Sequence, residues 1–503
     1  MLESLLASIV GFMKLQNFLA IVGGITIGIT IGAIPGMTAT MAVALALPLT
    51  FTMNPTTGIV FLLGIYKGGI YGGSIPAILI NTPGTPAASA TTLDGYELAK
   101  QGKAGKALDT AIYASVIGDT LTDVMLILVA APLASVALMF GPPEYAALIL
   151  FSLTIMAAVA GPSLIKGLIS GFLGLLLATI GQDPVLGFPR FAFGSVQMRG
   201  GLNLLAVLIG LFAIPEIITQ LGGKRGKGRT TLMQTGKSPR SEDNKLSLSE
   251  LKGLLKTIIR GGVIGGFIGA IPGTGAAPAA FISYNEGKRF SKHPEKFGKG
   301  SLEGVAAAEA GNNGVCGATM IPLLTLGIPG DPITAILLGA FMMQGLAPGP
   351  LLFIKHIGLI YSIYIGLMLC NLANLLIAKL LIPLYRRIIN IPKSILFPSV
   401  FFLCVTGVFA VNNNIFDVYV LLAVGMLGFL IRVWGIPPAP LVITFILGPM
   451  FEKGLRRSLM LSHGSFTIFF VRPIPLIFIS LTALSIIFIA IRRLREQKKT
   501  SSP

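Results

Sequence analysis

Charge is scarce in this chain. Of its 503 residues only 12% are Asp, Glu, Lys or Arg, while 53% are hydrophobic. The mean hydropathy is +0.83, and soluble domains carry about twice this share of charge, roughly 25%. A water-soluble globule is excluded on these numbers. Cysteine is scarce as well: Cys316, Cys370 and Cys404 stand in apolar surroundings, without the paired spacing of a disulfide framework or a zinc site. His293, His356 and His463 form no ligand spacing, and no Ser-His-Asp or Cys-His order is evident. An intramembrane enzyme would need such a dyad or a set of metal ligands. The N-terminus lacks the basic n-region of a cleaved signal peptide, so insertion of the intact chain is expected.

What the chain has instead is long apolar runs, among them Ala146–Ala160, Leu202–Gln220, Val418–Val433 and Leu476–Ile491. Runs of this kind approach the about 17 to 25 residues of a bilayer span, and roughly 10 to 13 of them are counted. The fold class expected is therefore all-α, a polytopic integral membrane protein. The net charge of +18 points to the membrane rather than to nucleic acid, because 23 of the 38 Lys and Arg fall in four windows, Lys100–Lys106, Lys224–Arg260, Lys288–Lys299 and Arg492–Lys499. Basic loops flanking apolar spans read as cytoplasmic. Membrane lipid is the partner this implies, with no nucleic acid.

The chain also repeats itself. Gly32-Ala33-Ile34-Pro35-Gly36-Met37-Thr38 returns as Gly269-Ala270-Ile271-Pro272-Gly273-Thr274, at an offset of 237 residues. Ile75-Pro76 leading to Asn81-Thr82-Pro83-Gly84-Thr85-Pro86 returns as Ile321-Pro322 leading to Gly327-Ile328-Pro329-Gly330-Asp331-Pro332, at an offset of 246. Gly171, Gly174, Gly181 and Pro184 match Gly425, Gly428, Gly435 and Pro438 at an offset of 254. Residues 1–222 are read as a first membrane repeat, 223–250 as a basic cytoplasmic linker and 251–503 as a second repeat. The linker contains Gly236-Lys237-Ser238, but Thr231 stands where a phosphate-binding loop needs its first Gly, so it is read as a tether. Residues 1–17 and Ser247–Lys256 read as matching short interfacial helices.

Connector charge suggests that the two copies run in opposite senses. Thr52–Thr57 has no Lys or Arg and Asp94–Ala107 has three Lys, whereas Tyr284–Gly300 is basic and Gln344–Pro350 is not; Gly141–Glu144 likewise has no Lys or Arg, against the basic Arg386–Lys393. Inverted repeats with broken helices are a transporter architecture. Basic character in both the linker and the C-terminal tail requires an extra span or re-entrant segment.

Proline removes a backbone donor and glycine permits non-helical dihedrals, so helices are expected to break at Pro35, Pro83, Pro272 and Pro329 near the middle of the membrane, around one cavity. Broken helices survive in lipid only where protein or a water-filled cavity surrounds them. Their half-helix N-termini attract anions, and freed carbonyls suit a cation. The candidate substrate-binding residues are Pro35, Gly36, Thr38, Lys67, Asn81, Thr82, Pro83, Gly84, Thr85, Gly273, Thr274, Asn312, Asn313, Pro329 and Gly330. Lys67, which aligns with Asn313, is a cation that balances an organic anion or else snorkels to an interface. The ion-coupling candidates are Asp331, Glu309, Asp119 and Asp123, because charges inside spans are costly. Asp331 is also a good helix cap, and Asp119 and Asp123, four apart on one helix face, suit pairing with a Lys or Arg from another span.

At Gly32–Thr38, Gly68–Pro86 with Leu93-Asp94-Gly95-Tyr96, Gly269–Gly275, Glu309–Gly317 and Gly327–Gly345, the chain resembles the large membrane subunit (TctA) of the tripartite tricarboxylate transporter family over nearly its full length. The resemblance implies a secondary transporter in the bacterial inner membrane, moving a small carboxylate substrate such as citrate with sodium or protons. It implies no cofactor and two partners, a small membrane subunit and a periplasmic solute-binding protein. The competing reading is a channel-like or assembly subunit without a substrate site of its own, which the hydroxyl-flanked breaks argue against.

Overall fold

The computed structural model describes residues 9–159, 163–222, 244–388 and 393–500. Most of the linker, including Gly236-Lys237-Ser238, lies outside them. The described residues are predominantly helical. In chain order the main helices are α1 (Leu15–Gly32), α2 (Ala39–Ala46), α3 (Pro55–Gly72), α4 (Ser74–Ile80), α5 (Ser89–Lys100), α6 (Ala104–Ala137), α7 (Pro142–Val159), α8 (Leu164–Ala178) and α9 (Leu204–Gly222). After the linker come α10 (Leu248–Gly269), α11 (Ala276–Phe290), α12 (Leu302–Leu326), α13 (Pro332–Met343), α14 (Ile357–Ile388), α15 (Lys393–Asn412), α16 (Ile415–Val433), α17 (Pro438–Leu461) and α18 (Pro473–Thr500). The strands described are two-residue pieces, Gly181–Gln182 paired antiparallel with Pro189–Arg190.

Among the described residues seven helices are long and apolar enough to cross a membrane, and five more are apolar but shorter. Two of the shorter ones, Ala39–Thr52 and Pro332–Met343, begin just after a Pro-Gly break. The segment Ser247–Lys256 is no separate interfacial helix. It forms the first turns of α10, where Ser247 and Glu250 make a capping box.

Two elements are enclosed by protein on every side. The α3–α4 segment, continuous but for a turn at Gly73, is buried from Thr57 to Leu79, and α12 is buried from Gly304 to Thr325. Close approach explains the first case: Cβ atoms built at Gly24, Gly28 and Gly32 of α1 would lie 2.4, 2.4 and 2.5 Å from the carbonyl oxygens of Phe61, Ile65 and Gly69. Small residues at four-residue spacing let membrane helices meet backbone to backbone. Polar side chains on α3 and α12 therefore meet other side chains rather than lipid.

Around these two, α10 and α11 pack on α12, and α6 packs on both α10 and α12. Further out, α7, α8, α17 and α18 form one group and α9, α15 and α16 another.

Candidate functional site

All four Pro-Gly motifs fall between helices. Ala33–Thr38 separates α1 from α2, residues 81–88 separate α4 from α5, residues 270–275 separate α10 from α11, and residues 327–331 separate α12 from α13. Pro35, Pro83, Pro272 and Pro329 each lie in one of these breaks.

The breaks lie in two touching pairs. A Cβ on Gly84 would sit 2.2 Å from the Gly32 carbonyl oxygen, and one on Gly330 would sit 3.1 Å from that of Gly269. The Gly273 N–H donates to the Gly330 carbonyl at 2.7 Å. Local geometry recurs at the second break of each copy. Asn81 and Gly327 adopt the left-handed conformation that ends a helix, and the N–H groups of Thr82 and Ile328 reach back to the carbonyls of Pro76 and Pro322, both at 3.2 Å. Thr85 Oγ1 accepts from the Ala88 N–H, and Asp331 Oδ1 accepts from the Thr334 N–H.

The two pairs are joined by an alanine seam and a tyrosine. Ala87 and Ala90 from the first copy cluster with Ala280 and Ala308 from the second. The Tyr66 hydroxyl donates to Asp331 Oδ2 at 2.8 Å and lies 3.3 Å from the Thr319 hydroxyl. Asn312 follows Ala308 by about one helical turn on α12. It is fully buried, and neither atom of its side-chain amide has a partner among the described residues. A buried amide without a partner is costly.

The motif hydroxyls divide into two kinds. Thr82 donates to the Ile80 carbonyl and Thr274 to those of Ile268 and Ile271, so their protons are spent on local backbone. Thr38 accepts an amide bond as the cap of α2, Thr85 accepts one from Ala88 in the turn before α5, and both keep their protons to give. Asn81 is exposed at its turn, and Gly36, with φ +90°, lies against Gln220.

Lys67 is neither free nor interfacial. Its ammonium lies 3.0 Å from Asp119 Oδ2 and 2.6 Å from Asp123 Oδ2, all three being buried. It also donates to Asn371 Oδ1 at 3.0 Å, while Asn371 Nδ2 donates to Asp123 and Thr120. This corrects the expectation of a cation held open for substrate: the α6 aspartates supply its counter-charge from within the protein. The pairing foreseen for Asp119 and Asp123 is thus found with Lys67.

The other acids separate in the same way. Asp331 caps α13 in a capping box with Thr334 and is further satisfied by Tyr66. Glu309 is fully buried and has only neutral partners among the described residues. Ser74 Oγ donates to it at 2.5 Å, Thr91 Oγ1 at closer range, Ser115 Oγ at 3.0 Å and Asn313 Nδ2 at 3.2 Å.

Sequence reasoning missed Ser74, Thr91, Ser115, Tyr66 and Asn371. It also missed Asp94, whose Oδ1 accepts from the N–H groups of Gly298, Gly300 and Ser301 while Oδ2 takes the Tyr284 hydroxyl. The one available signal was spacing, since Ser115 precedes Asp119 by four on α6 and Tyr66 adjoins Lys67. A groove of about 950 Å³ between α6 and α14, lined by Ile127, Ser135, Tyr361, Tyr364 and Ile365, lies away from the breaks, and its apolar wall suits no carboxylate.

Comparison with known proteins gives the same direction. The chain is 40% identical over 430 residues to an uncharacterized 52.8 kDa protein in the TAR-I ttuC' 3' region of Agrobacterium vitis, covering 85% of this chain and 84% of that one. It is 37% identical over 234 residues to an uncharacterized protein in the TAR-II ttuC' 3' region of the same organism, covering 46% of this chain and 97% of that one. No solved structure matches. The model of the tripartite tricarboxylate transporter TctA family matches residues 18–443, a stretch that holds all four breaks and every buried acid described above, and the chain is a multi-pass membrane protein of that family.

Proposed function

We propose that this chain is the large membrane subunit of a tripartite secondary transporter that imports a di- or tricarboxylate, citrate-like in chemistry, using a sodium or proton gradient. A periplasmic solute-binding protein delivers the substrate, a small membrane subunit completes the assembly, and the bacterial inner membrane houses it. The observation that carries this reading is the arrangement of breaks in two touching pairs, each followed by a new helix start: α2, α5, α11 and α13. A helix N-terminus presents unpaired N–H groups and about half a positive charge, enough to hold a carboxylate without locking it in place.

The two copies are not equivalent anions' hosts. Asp331 fills the N-terminus of α13 with a carboxylate from the chain itself, whereas that of α5 carries no charged side-chain cap. The substrate carboxylates therefore belong with α2, α5 and α11, with the Thr38 and Thr85 protons and the unpartnered Asn312 amide as donors. The test is uptake by proteoliposomes containing this chain and its partners, screened across carboxylates with and without a sodium gradient. Absence of uptake for every carboxylate rejects the proposal; gradient-independent leakage through the chain alone supports the channel-like alternative.

A further inference from the structure

Glu309 poses a charge problem that the reading above does not solve. The carboxylate is fully buried and its partners are three hydroxyls and an amide, with no basic group among them. An isolated buried charge is strongly disfavoured unless paired with an opposite one. The neighbouring acids are provided for. Lys67 stands between Asp119 and Asp123 and occupies the place a small cation would take, and Asp331 is held by the N-terminus of α13.

We propose that Glu309, Ser74, Thr91 and Ser115 form a binding site for a dehydrated sodium ion, the coupling ion of the transport reaction. This inference rests on the transporter reading. The oxygens are hard and come from four helices, α4, α5, α6 and α12. Each hydroxyl now donating to the carboxylate keeps lone pairs that a cation can use once the O–H rotates. Hard oxygen donors are what a hard cation selects. A second observation points to the same place: three residues beyond Glu309, on the same side of α12, stands the fully buried Asn312 with its unpartnered amide.

The site also explains how ion and substrate would be linked. Ser74 and Thr91 bracket the 81–88 break, Ser74 on the helix entering it and Thr91 on the helix leaving it. Gly73, next to Ser74, accepts from the Gly84 N–H at 3.0 Å, and a Cβ on it would meet the Thr85 hydroxyl at 2.9 Å. An ion drawing Ser74 and Thr91 together fixes the loop that presents Thr85 to a carboxylate. Sodium binds first and prepares the anion site.

The experiment reads sodium binding to the purified full-length chain without any carboxylate, by radioactive sodium binding and by thermal unfolding in sodium chloride against choline chloride at equal ionic strength. A saturable, sodium-specific stabilisation is expected. Glu309→Gln should abolish it, Thr91→Val should weaken sodium affinity by about tenfold or more, as for a lost partner of a charged group, and Thr91→Ser, which keeps the oxygen, should retain it. Asp123→Asn should leave the response in place. The proposal is overturned by a wild-type chain that shows no sodium-specific response, including one stabilised by protons alone. It is equally overturned by a Thr91→Val or Glu309→Gln chain that responds undiminished, or by a response lost only in Asp119→Asn or Asp123→Asn. If Glu309→Gln does not fold, the Thr91 pair decides. Carboxylate uptake driven by protons without sodium binding refutes this site and leaves the transporter reading intact, whereas sodium binding at Glu309 without any carboxylate uptake does the reverse.

Discussion

Lys67 should matter for holding the protein together before it matters for transport. In Lys67→Met the hydrophobic stem is kept and the ammonium is lost, leaving Asp119 and Asp123 one turn apart on α6. Both are buried, and the Oδ1 atom of each has no hydrogen-bond partner among the described residues. Breaking a buried ion pair from one side costs about 3 to 5 kcal/mol. For a chain of this length, where each kcal/mol is worth roughly 1 to 2 °C, the melting temperature should fall by about 3 to 10 °C. The triple variant Lys67→Met/Asp119→Asn/Asp123→Asn carries no charge and nearly the same shape, so it should recover most of that loss. A thiol-reactive fluorophore suits the measurement, because Cys316, Cys370 and Cys404 are all buried and become reactive on unfolding. A Lys67→Met chain that melts within about 1 °C of wild type, or a triple variant no more stable than the single one, would refute the view that Lys67 serves the aspartates.

Three further expectations follow from the same geometry. Thr85→Val and Asn81→Ala should reduce proteoliposome uptake as severely as Lys67→Met while leaving membrane insertion intact, whereas Thr82→Val, whose hydroxyl is spent on Ile80, should be mild; equal loss at Thr82 and Thr85 would contradict the division of hydroxyls. Gly84→Ala should prevent accumulation of folded protein, since its Cβ falls 2.2 Å from a backbone oxygen, while Gly253→Ala, with nothing within 4 Å, should stabilise α10 by about 0.5 to 1 kcal/mol. Expression yield and melting temperature check both. Single cysteines at Lys103 and Lys292 should resist a membrane-impermeant maleimide in intact cells and react after permeabilisation, and labelling of either from outside refutes a shared cytoplasmic side. The structure already brings their connectors together, with Gln101 donating to the Lys299 carbonyl at 2.8 Å.

The breaks were legible because their cause is local: proline and glycine act on their own backbone, and Ile34-Pro35-Gly36 or Asn81-Thr82-Pro83-Gly84 carries that instruction wherever it stands. The acids were legible as exceptions, since a Glu309 or an Asp119 in an apolar run is conspicuous against its neighbours. Their partners were not. Serine and threonine are ordinary in membrane helices and usually bond their own turn, so nothing in the text around Ser74, Thr91 or Ser115 marks them as a set. Lys67 and Asp123 lie on different helices, and only packing shows that one answers the other. Asp94, quoted only as part of Leu93-Asp94-Gly95-Tyr96, showed no role in the sequence because it stands in a polar stretch, where an acid needs no explanation until three backbone amides are found converging on it.

The ring of hydroxyls around Glu309 also sets a timetable for synthesis. Ser74, Thr91 and Ser115 precede it by 235, 218 and 194 residues. At a ribosomal pace of about 5 to 20 residues per second they wait roughly 10 to 47 s in the bilayer before their acid is made. A serine or threonine can pass that interval bonded to a carbonyl of its own helix, which a carboxylate cannot do. Lys67, whose charge a carbonyl does not neutralise, meets Asp123 after only 56 residues. The order of residues along the messenger thus brings the lysine its counter-charge within seconds and keeps the unpaired carboxylate until the cradle that receives it has been inserted.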